Sequence, residues 1–243
     1  MNIMIIGGTS GIGLALARHY LERGERVAVC GRHVNKVDPS LVARHPALRQ
    51  YAFDIADTAA MDAAMRDFGA ELDMLIVTAG FYADADTLAR APQHAATLLR
   101  TNVTALANAF DLASRGMVAR RAGQLVAVAS VAGLLRDYPG ASLYSASKRG
   151  VIALCDAYRA CLAPYSVAVT VLVPGYIDTA RLRELNHGDA SGKPFLQTER
   201  QAVAEMTRAI AERRARRVFP WQMHWLVVAF NCLPWSLRRM RKT

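Results

Sequence analysis

Ile3-Met4-Ile5-Ile6-Gly7-Gly8-Thr9-Ser10-Gly11-Ile12-Gly13 opens the chain, an apolar run that breaks into glycines and then into a helical pattern. Four consecutive apolar residues read as a short buried strand. Glycines after it let the backbone turn tightly and approach a ligand closely. A helix starting at Gly11 would offer its N-terminal N–H groups and partial positive charge to a pyrophosphate. Thr9 and Ser10 add hydroxyl donors, and Ile12 lies between the last two glycines. Gly7, Gly11 and Gly13 make a Gly-x-x-x-Gly-x-Gly spacing, which differs from the commoner Gly-x-Gly-x-x-Gly dinucleotide pattern. A plain strand–helix turn also uses glycine. Position directly after the first strand favours a binding loop.

Outward from this loop, apolar runs alternate with amphipathic stretches. The pattern predicts strands over 3–6, 27–31, 48–53, 74–77, 125–129, 167–173 and 217–219. Helices are predicted over 11–23, 58–68, 142–162 and 198–213, with a long one over 87–115 bent near Pro92. Continuously apolar strands joined by helices give an α/β, doubly wound parallel sheet of Rossmann type, covered on both faces.

The 243 residues are 53% hydrophobic and show no linker or low-complexity tract, which suits one large domain. We read 1–219 as that domain, with a substrate loop over about 176–197, and 220–243 as a basic, Trp-containing extension packed on it. Cys30, Cys155, Cys161 and Cys232 lack paired or metal-ligand spacing and are expected to be buried, reduced thiols. No metal site is expected. Met1 leads into the first strand without a basic leader region, so the expected location is cytoplasmic. Of the net charge of +10, residues from Arg208 onward supply +8, nine basic residues against Glu212 alone. The basic pI of 9.9 therefore describes the C-terminus, and no nucleic-acid partner is expected.

Leu143-Tyr144-Ser145-Ala146-Ser147-Lys148-Arg149 is the stretch with chemistry in it. Residues four apart share a helical face, so Tyr144 and Lys148 address one small volume. A free phenol titrates near pH ~10, and a neighbouring ammonium is expected to pull that value down into a useful range for proton transfer. Ser145 and Lys148 also spell the Ser-x-x-Lys of penicillin-binding enzymes, but that family's other motifs are absent.

Together with Ser130 at the end of a strand, the glycine loop and Tyr144/Lys148 resemble the short-chain dehydrogenase/reductase family over about residues 2–180. The resemblance implies a seven-stranded sheet and hydride transfer between NAD(P)(H) and a carbonyl or alcohol carbon, in residues matching this sequence's motifs. By that likeness Ser130 and Tyr144 polarise the carbonyl, and Tyr144 gives the proton. Lys148 lowers the phenol's pKa and binds the nicotinamide ribose, and Asn102 holds a water behind the lysine. Asp54 and Ile55 match the pair that contacts adenine. Ala79 and Gly80 match part of an Asn-Ala-Gly motif in which Thr78 replaces the amide, and Ile6 stands where threonine is usual. Pro174, Gly175, Ile177 and Thr179 match the turn that fixes the nicotinamide amide.

An acid ending the second strand would favour NAD(H). Here Gly31-Arg32 ends it, with a guanidinium suited to a 2′-phosphate and a glycine leaving room, so NADP(H) is preferred. The partners expected are a small carbonyl or alcohol substrate and further copies of the chain, as homodimer or homotetramer through the helices around Asn102 and Lys148. Phe81, Tyr82, Leu134, Leu135 and Tyr138 are candidates to line an apolar pocket. His187 falls in the substrate loop, where a solvated side chain is the plainer reading.

The tail carries all three tryptophans, Trp221, Trp225 and Trp235, and ends Arg238-Arg239-Met240-Arg241-Lys242. Prolines and polar residues interrupt it too often for a spanning helix. Packing over the pocket or against another subunit is one reading, and peripheral contact with an anionic lipid surface is another. A non-catalytic NADP(H)-binding regulator on the same scaffold is the alternative to an enzyme.

Overall fold

The computed structural model describes residues 1–69, 71–135 and 142–234. The chain enters through β1 (Asn2–Ile6), α1 (Gly11–Glu22), β2 (Arg26–Gly31), α2 (Pro39–Arg44) and β3 (Leu48–Ala52). It returns through α3 (Thr58–Phe68) to β4 (Met74–Val77), then α4 (Ala85–Arg90), α5 (Gln93–Leu99), a π-helical turn (Arg100–Thr104) and α6 (Ala105–Arg120). β5 (Gly123–Val128), α7 (Ser142–Leu162) and β6 (Val167–Pro174) follow. The last part holds β7 (Ile177–Asp178), α8 (Ala180–Glu184), β8 (Gln197–Thr198), α9 (Glu199–Ala211), β9 (Arg216–Phe219) and α10 (Trp221–Cys232).

Seven of these strands form one parallel sheet in the order β3-β2-β1-β4-β5-β6-β9. The chain builds outward from β1 to β3 and then returns to the other side of β1 at β4. That reversal opens a crevice at the carboxyl ends of β1 and β4, the place where open α/β sheets bind ligands. Side chains alternate across the sheet. Ile3, Ile5, Val27 and Val29 pack with Leu16, Leu41 and Met206 of α1, α2 and α9. Met4, Ile6, Ala28 and Cys30 pack on the opposite face with Phe68, Phe110, Val151 and Val227 of α3, α6, α7 and α10. Phe110 is fully buried, so truncating it to alanine should cost about 3–5 kcal/mol.

The strands fall where the apolar runs predict them. The helix expected over 87–115 instead starts at Ala85, breaks once between α4 and α5, and runs on through the π-helical turn to Arg120. Pro92 has no N–H to donate and disfavours helical geometry at Ala91, which is extended at φ −142°, ψ 76°. α2 was not foreseen: Asp38 accepts a hydrogen bond from Ser40 N, and Pro39 occupies the first helical position. Within the expected substrate loop, Thr179 caps α8 by accepting from Leu182 N, and β7 pairs with β8 through Ile177–Gln197 and Asp178–Thr198. Only two cysteines match expectation. Cys30 and Cys155 are buried, but Cys161 and Cys232 sit on outward helix faces and are exposed.

After β9, α10 turns back over the carboxyl ends of the strands. Met223 and Val227, one turn apart, enter the core, and Asn231 Nδ2 donates to Leu134 O at 2.9 Å. Several of the arginines preceding β9 and within it are matched to acids: Arg214 with Glu212, Arg216 with Asp156, and Arg217 with Glu205. Tyr138, Trp235 and the basic residues 238–242 lie outside the described residues.

Candidate active site

The glycine loop is interlocked with the end of β4. Gly7 has φ +89°, and a Cβ there would lie 2.5 Å from Ala79 N. A Cβ on Gly13 would lie 2.2 Å from Gly7 O. Neither position has room for a side chain, because α1 starts directly against the turn that precedes it. Thr78 holds the other side: its N–H and its hydroxyl both donate to Ile6 O, at 2.8 and 3.2 Å. The threonine standing in the Asn-Ala-Gly position thus ties β4 to β1 itself.

Ser10 is the residue before α1 and makes no side-chain cap, and the first turn of α1 carries no acid. The helix start therefore presents its N–H groups without an internal carboxylate competing for them, which suits an anionic ligand. Thr9 is buried, and a Cβ on Gly31 would lie 2.8 Å from its Oγ1. The missing side chain of Gly31 also makes room for Thr9. Arg32, next in the chain, is exposed at the end of β2. Past β3, Asp54 accepts from Ala56 N at 2.9 Å, while Ile55 is buried in the core and Ile12 packs against the opposite core face. Past β6, Gly175 N donates to Phe219 O at 2.8 Å, which seats the Pro174–Gly175 turn against β9. Ile177 is part of β7, and Thr179 uses its oxygen to cap α8.

The reacting groups come from three different elements. Ser130 follows β5 and its Oγ accepts from Ala132 N at 3.2 Å, so its proton can be given to another hydroxyl. A hydrogen bond joins the Ser130 and Tyr144 hydroxyls. One helical turn on, Lys148 is buried with Nζ donating to Val128 O at 3.0 Å. A Cβ on Gly80 would lie 3.3 Å from Lys148 Nζ and 3.5 Å from Asn102 Oδ1, so the ammonium and the amide face one small space. Asn102 sits in the π-helical turn and is nearly fully engaged. Its Nδ2 donates to Phe81 O at 2.9 Å and Ser147 Oγ at 3.0 Å, and its Oδ1 accepts from Phe81 N at 2.7 Å.

Burial controls the electrostatics here. The Tyr144 phenol is pushed up to about 12 by desolvation, only partly offset by the Ser130 hydrogen bond. Desolvation moves Lys148 the other way, down to about 8. The expected lowering of Tyr144 by Lys148 is therefore not what this arrangement produces: burial sets the direction, and the opposing effect comes from the Ser130 hydrogen bond. At neutral pH the phenol is protonated and can act as an acid.

Three positioning residues escaped the sequence reading. Gly133 lets α7 approach the turn after β5, since a Cβ there would lie 2.7 Å from Lys148 C. Ser147 accepts from Asn102 and donates to Tyr144 O at 2.8 Å, linking the π-helical turn to α7. Thr78 is the third. A glycine three residues past Ser130 was a legible signal; the other two depend on contacts between distant segments. Leu134 and Leu135 pack against the core, whereas Tyr82 meets the Tyr144 ring.

A family model described as short chain dehydrogenase matches residues 1–190. The chain is a short-chain dehydrogenase/reductase. This short-chain dehydrogenase is 28% identical over 192 residues to a 3-oxoacyl-[acyl-carrier-protein] reductase of Chlamydia trachomatis serovar D, covering 75% of this chain and 76% of that one. It is similar to the crystal structure of a gluconate 5-dehydrogenase from Burkholderia cenocepacia J2315 in complex with NADP and tartrate (26% identity, TM-score 0.77, 92% of this chain and 94% of that one). A 3-oxoacyl-[acyl-carrier protein] reductase from Brucella melitensis with bound NAD is also similar (25% identity, TM-score 0.74, 89% and 87%). As a member of this family the protein is an oxidoreductase of the hydride-transfer type.

Proposed function

We propose that this dehydrogenase transfers hydride between NADP(H) and the carbonyl or secondary alcohol carbon of a small molecule. The observation that carries the reading is the convergence of Ser130, Tyr144, Lys148 and Asn102 at the carboxyl ends of β4 and β5, beside the glycine loop. The nicotinamide, when bound, supplies the hydride. Gly7 to Gly13 and the start of α1 would hold its pyrophosphate, with Arg32 near the adenosine ribose. Asp54, Ile55, Ala79, Gly80, Pro174, Gly175, Ile177 and Thr179 line the same edge of the sheet and would complete the cofactor cleft. Fit is supported by the uncapped, acid-free start of α1 and by Arg32 in the place of a carboxylate. Solved relatives hold either NADP or NAD, so the cofactor preference rests on Arg32.

Ser130 would turn its hydroxyl proton from Tyr144 to the substrate oxygen and hold it. Tyr144, protonated at neutral pH, donates its proton to that oxygen as charge develops on it. Lys148 would hold the nicotinamide ribose and return a proton towards the phenol, with a water taken up beside Asn102 Oδ1 as its source. The family resemblance to 3-oxoacyl reductases makes 3-oxoacyl thioesters the first substrates to try, followed by simple ketones and aldehydes. Further copies of the chain are expected as partners, through α6 and α7.

The test is NADPH and NADH binding followed by turnover on that panel. NADPH binding with turnover lost in Tyr144→Phe is the expected result, with Arg32→Asp shifting preference towards NADH by tenfold or more. Tight binding without turnover on any carbonyl would favour the non-catalytic regulator. No binding of either nucleotide would refute the cofactor cleft.

A further inference from the structure

α10 is apolar on both sides. Met223 and Val227 face the core, as described, but Trp221 is 64% exposed and Trp225, one turn later, 62%. Leu226, Ala229, Cys232 and Leu233 continue the exposed side towards the end of the helix. Two tryptophans held out in water by a helix anchored from behind are not the leftovers of packing. Soluble surfaces scatter single apolar residues but rarely align them on one face.

Charge says what covers this face. From Val218 to Leu237 the sequence has no Asp, Glu, Lys or Arg, and it then ends Arg238-Arg239-Met240-Arg241-Lys242-Thr243, with no acid anywhere after Glu212. The earlier arginines contribute little, because Arg214, Arg216 and Arg217 already have carboxylate partners. Two copies of this chain carry the same sign of excess charge in this part of the sequence, so charge complementarity points to an anionic surface rather than to a second copy. An anionic bilayer attracts that charge. Indole rings settle at the boundary between headgroups and acyl chains, and basic residues beside them bind acidic headgroups. Among the described residues no helix is long and apolar enough to cross a membrane, so this one would lie along the surface.

We propose that the exposed face of α10 docks on an anionic lipid bilayer, with Trp221 and Trp225 inserted. The bond from Asn231 to Leu134 O, four residues past Ser130, then fixes the rim of the active site close to the lipid surface. This holds whether or not the hydride-transfer reading is right, because vesicle binding needs no turnover.

The test is co-sedimentation of the full chain with phosphatidylcholine–phosphatidylglycerol vesicles and with pure phosphatidylcholine vesicles, at low and high salt. Binding is expected on the anionic vesicles, weakened by salt, with a blue shift of tryptophan emission. Trp221→Ser with Trp225→Ser, and separately Gln at all four of positions 238, 239, 241 and 242, should each weaken binding tenfold or more while the thermal melt is kept. Absence of binding to either vesicle overturns the proposal, as does unchanged binding by the tryptophan variant. So does sedimentation velocity showing that the tryptophan variant dissociates a dimer while the parent ignores lipid, which would assign the face to a second copy.

Discussion

The rings of Tyr82 and Tyr144 meet edge to face, with centroids 4.9 Å apart and planes at 69°. Such pairs are worth about 0.5–1.5 kcal/mol beyond the area they bury. Tyr82 follows Gly80 by two residues, so the loop that faces Lys148 also braces the proton donor. Burial raises the Tyr144 pKa, and Tyr82 raises it further. Tyr82→Ala opens the phenol to water and removes that neighbour, so the alkaline limb of the kcat/KM profile should move to lower pH. Tyr82→Phe should keep the ring contact and hold the limb nearer its original place. A limb that is the same in Tyr82→Ala and the parent would refute the bracing role.

Lys148 carries a stability signature as well. Its pKa is about 8 in the folded chain against 10.5 as the ordinary value. Between those values the unfolded chain binds more protons, so stability rises with pH across this window, and the cost of burying the charge is felt in full below about pH 8. Tyr144, raised from 10.0 to about 12, acts in the opposite sense, and only above pH 10. Urea unfolding of the parent and of Lys148→Met should therefore differ with pH. From about pH 7 to about pH 9.5 the parent should gain about 2 kcal/mol relative to the variant. A difference that stays flat would mean the ammonium is not held in a dry site.

Two glycines of the same loop should behave differently. Gly13→Ala drives a methyl group into Gly7 O and Thr78 Oγ1, at 2.2 and 2.5 Å. Gly11 has φ +50° but open space around it, so Gly11→Ala incurs only the left-handed backbone cost of about 1–2 kcal/mol. That corresponds to a loss of about 2–8 °C in Tm for a chain of this size, and Gly13→Ala should lose clearly more. Differential scanning calorimetry of both variants decides it, and equal losses would show that the interlock yields easily.

The two sides of α10 should separate in the same kind of measurement. Met223 is 3% exposed, and Met223→Ala should cost about 2–5 kcal/mol in one cooperative transition. Trp221→Ala should change stability by no more than about 0.5 kcal/mol. A Met223→Ala protein that melts like the parent would mean the extension is not part of the core.

Residues whose meaning is local were legible in the sequence. Apolar runs of four or more marked β1, β2, β4 and β5, and the glycines after Ile6 marked the turn into α1, because each follows from neighbours in the chain. Tyr144 and Lys148 could be paired for the same reason, being one helical turn apart. What escaped depends on distance in sequence. Thr78 supports Ile6 across 72 positions, and Asn102 reaches Ser147 across 45. The sign of the Tyr144 shift was misjudged because spacing reports a neighbouring charge but not how far water has been excluded. Pro92 was visible as a bend, yet its effect on Ala91 split the helix outright.

The π-helical turn at Arg100–Thr104 has a bearing on how this gene can change. Such a turn is an α-helix that has absorbed an extra residue, and losing one codon there would let it close to regular pitch. The helices on either side would keep their phase, and the change would fall on the side chains within the turn. Asn102 would swing away from both Phe81 and Ser147, with no residue type altered anywhere. The length of the chain at this turn, and not only its residue types, therefore sets where the Asn102 amide points.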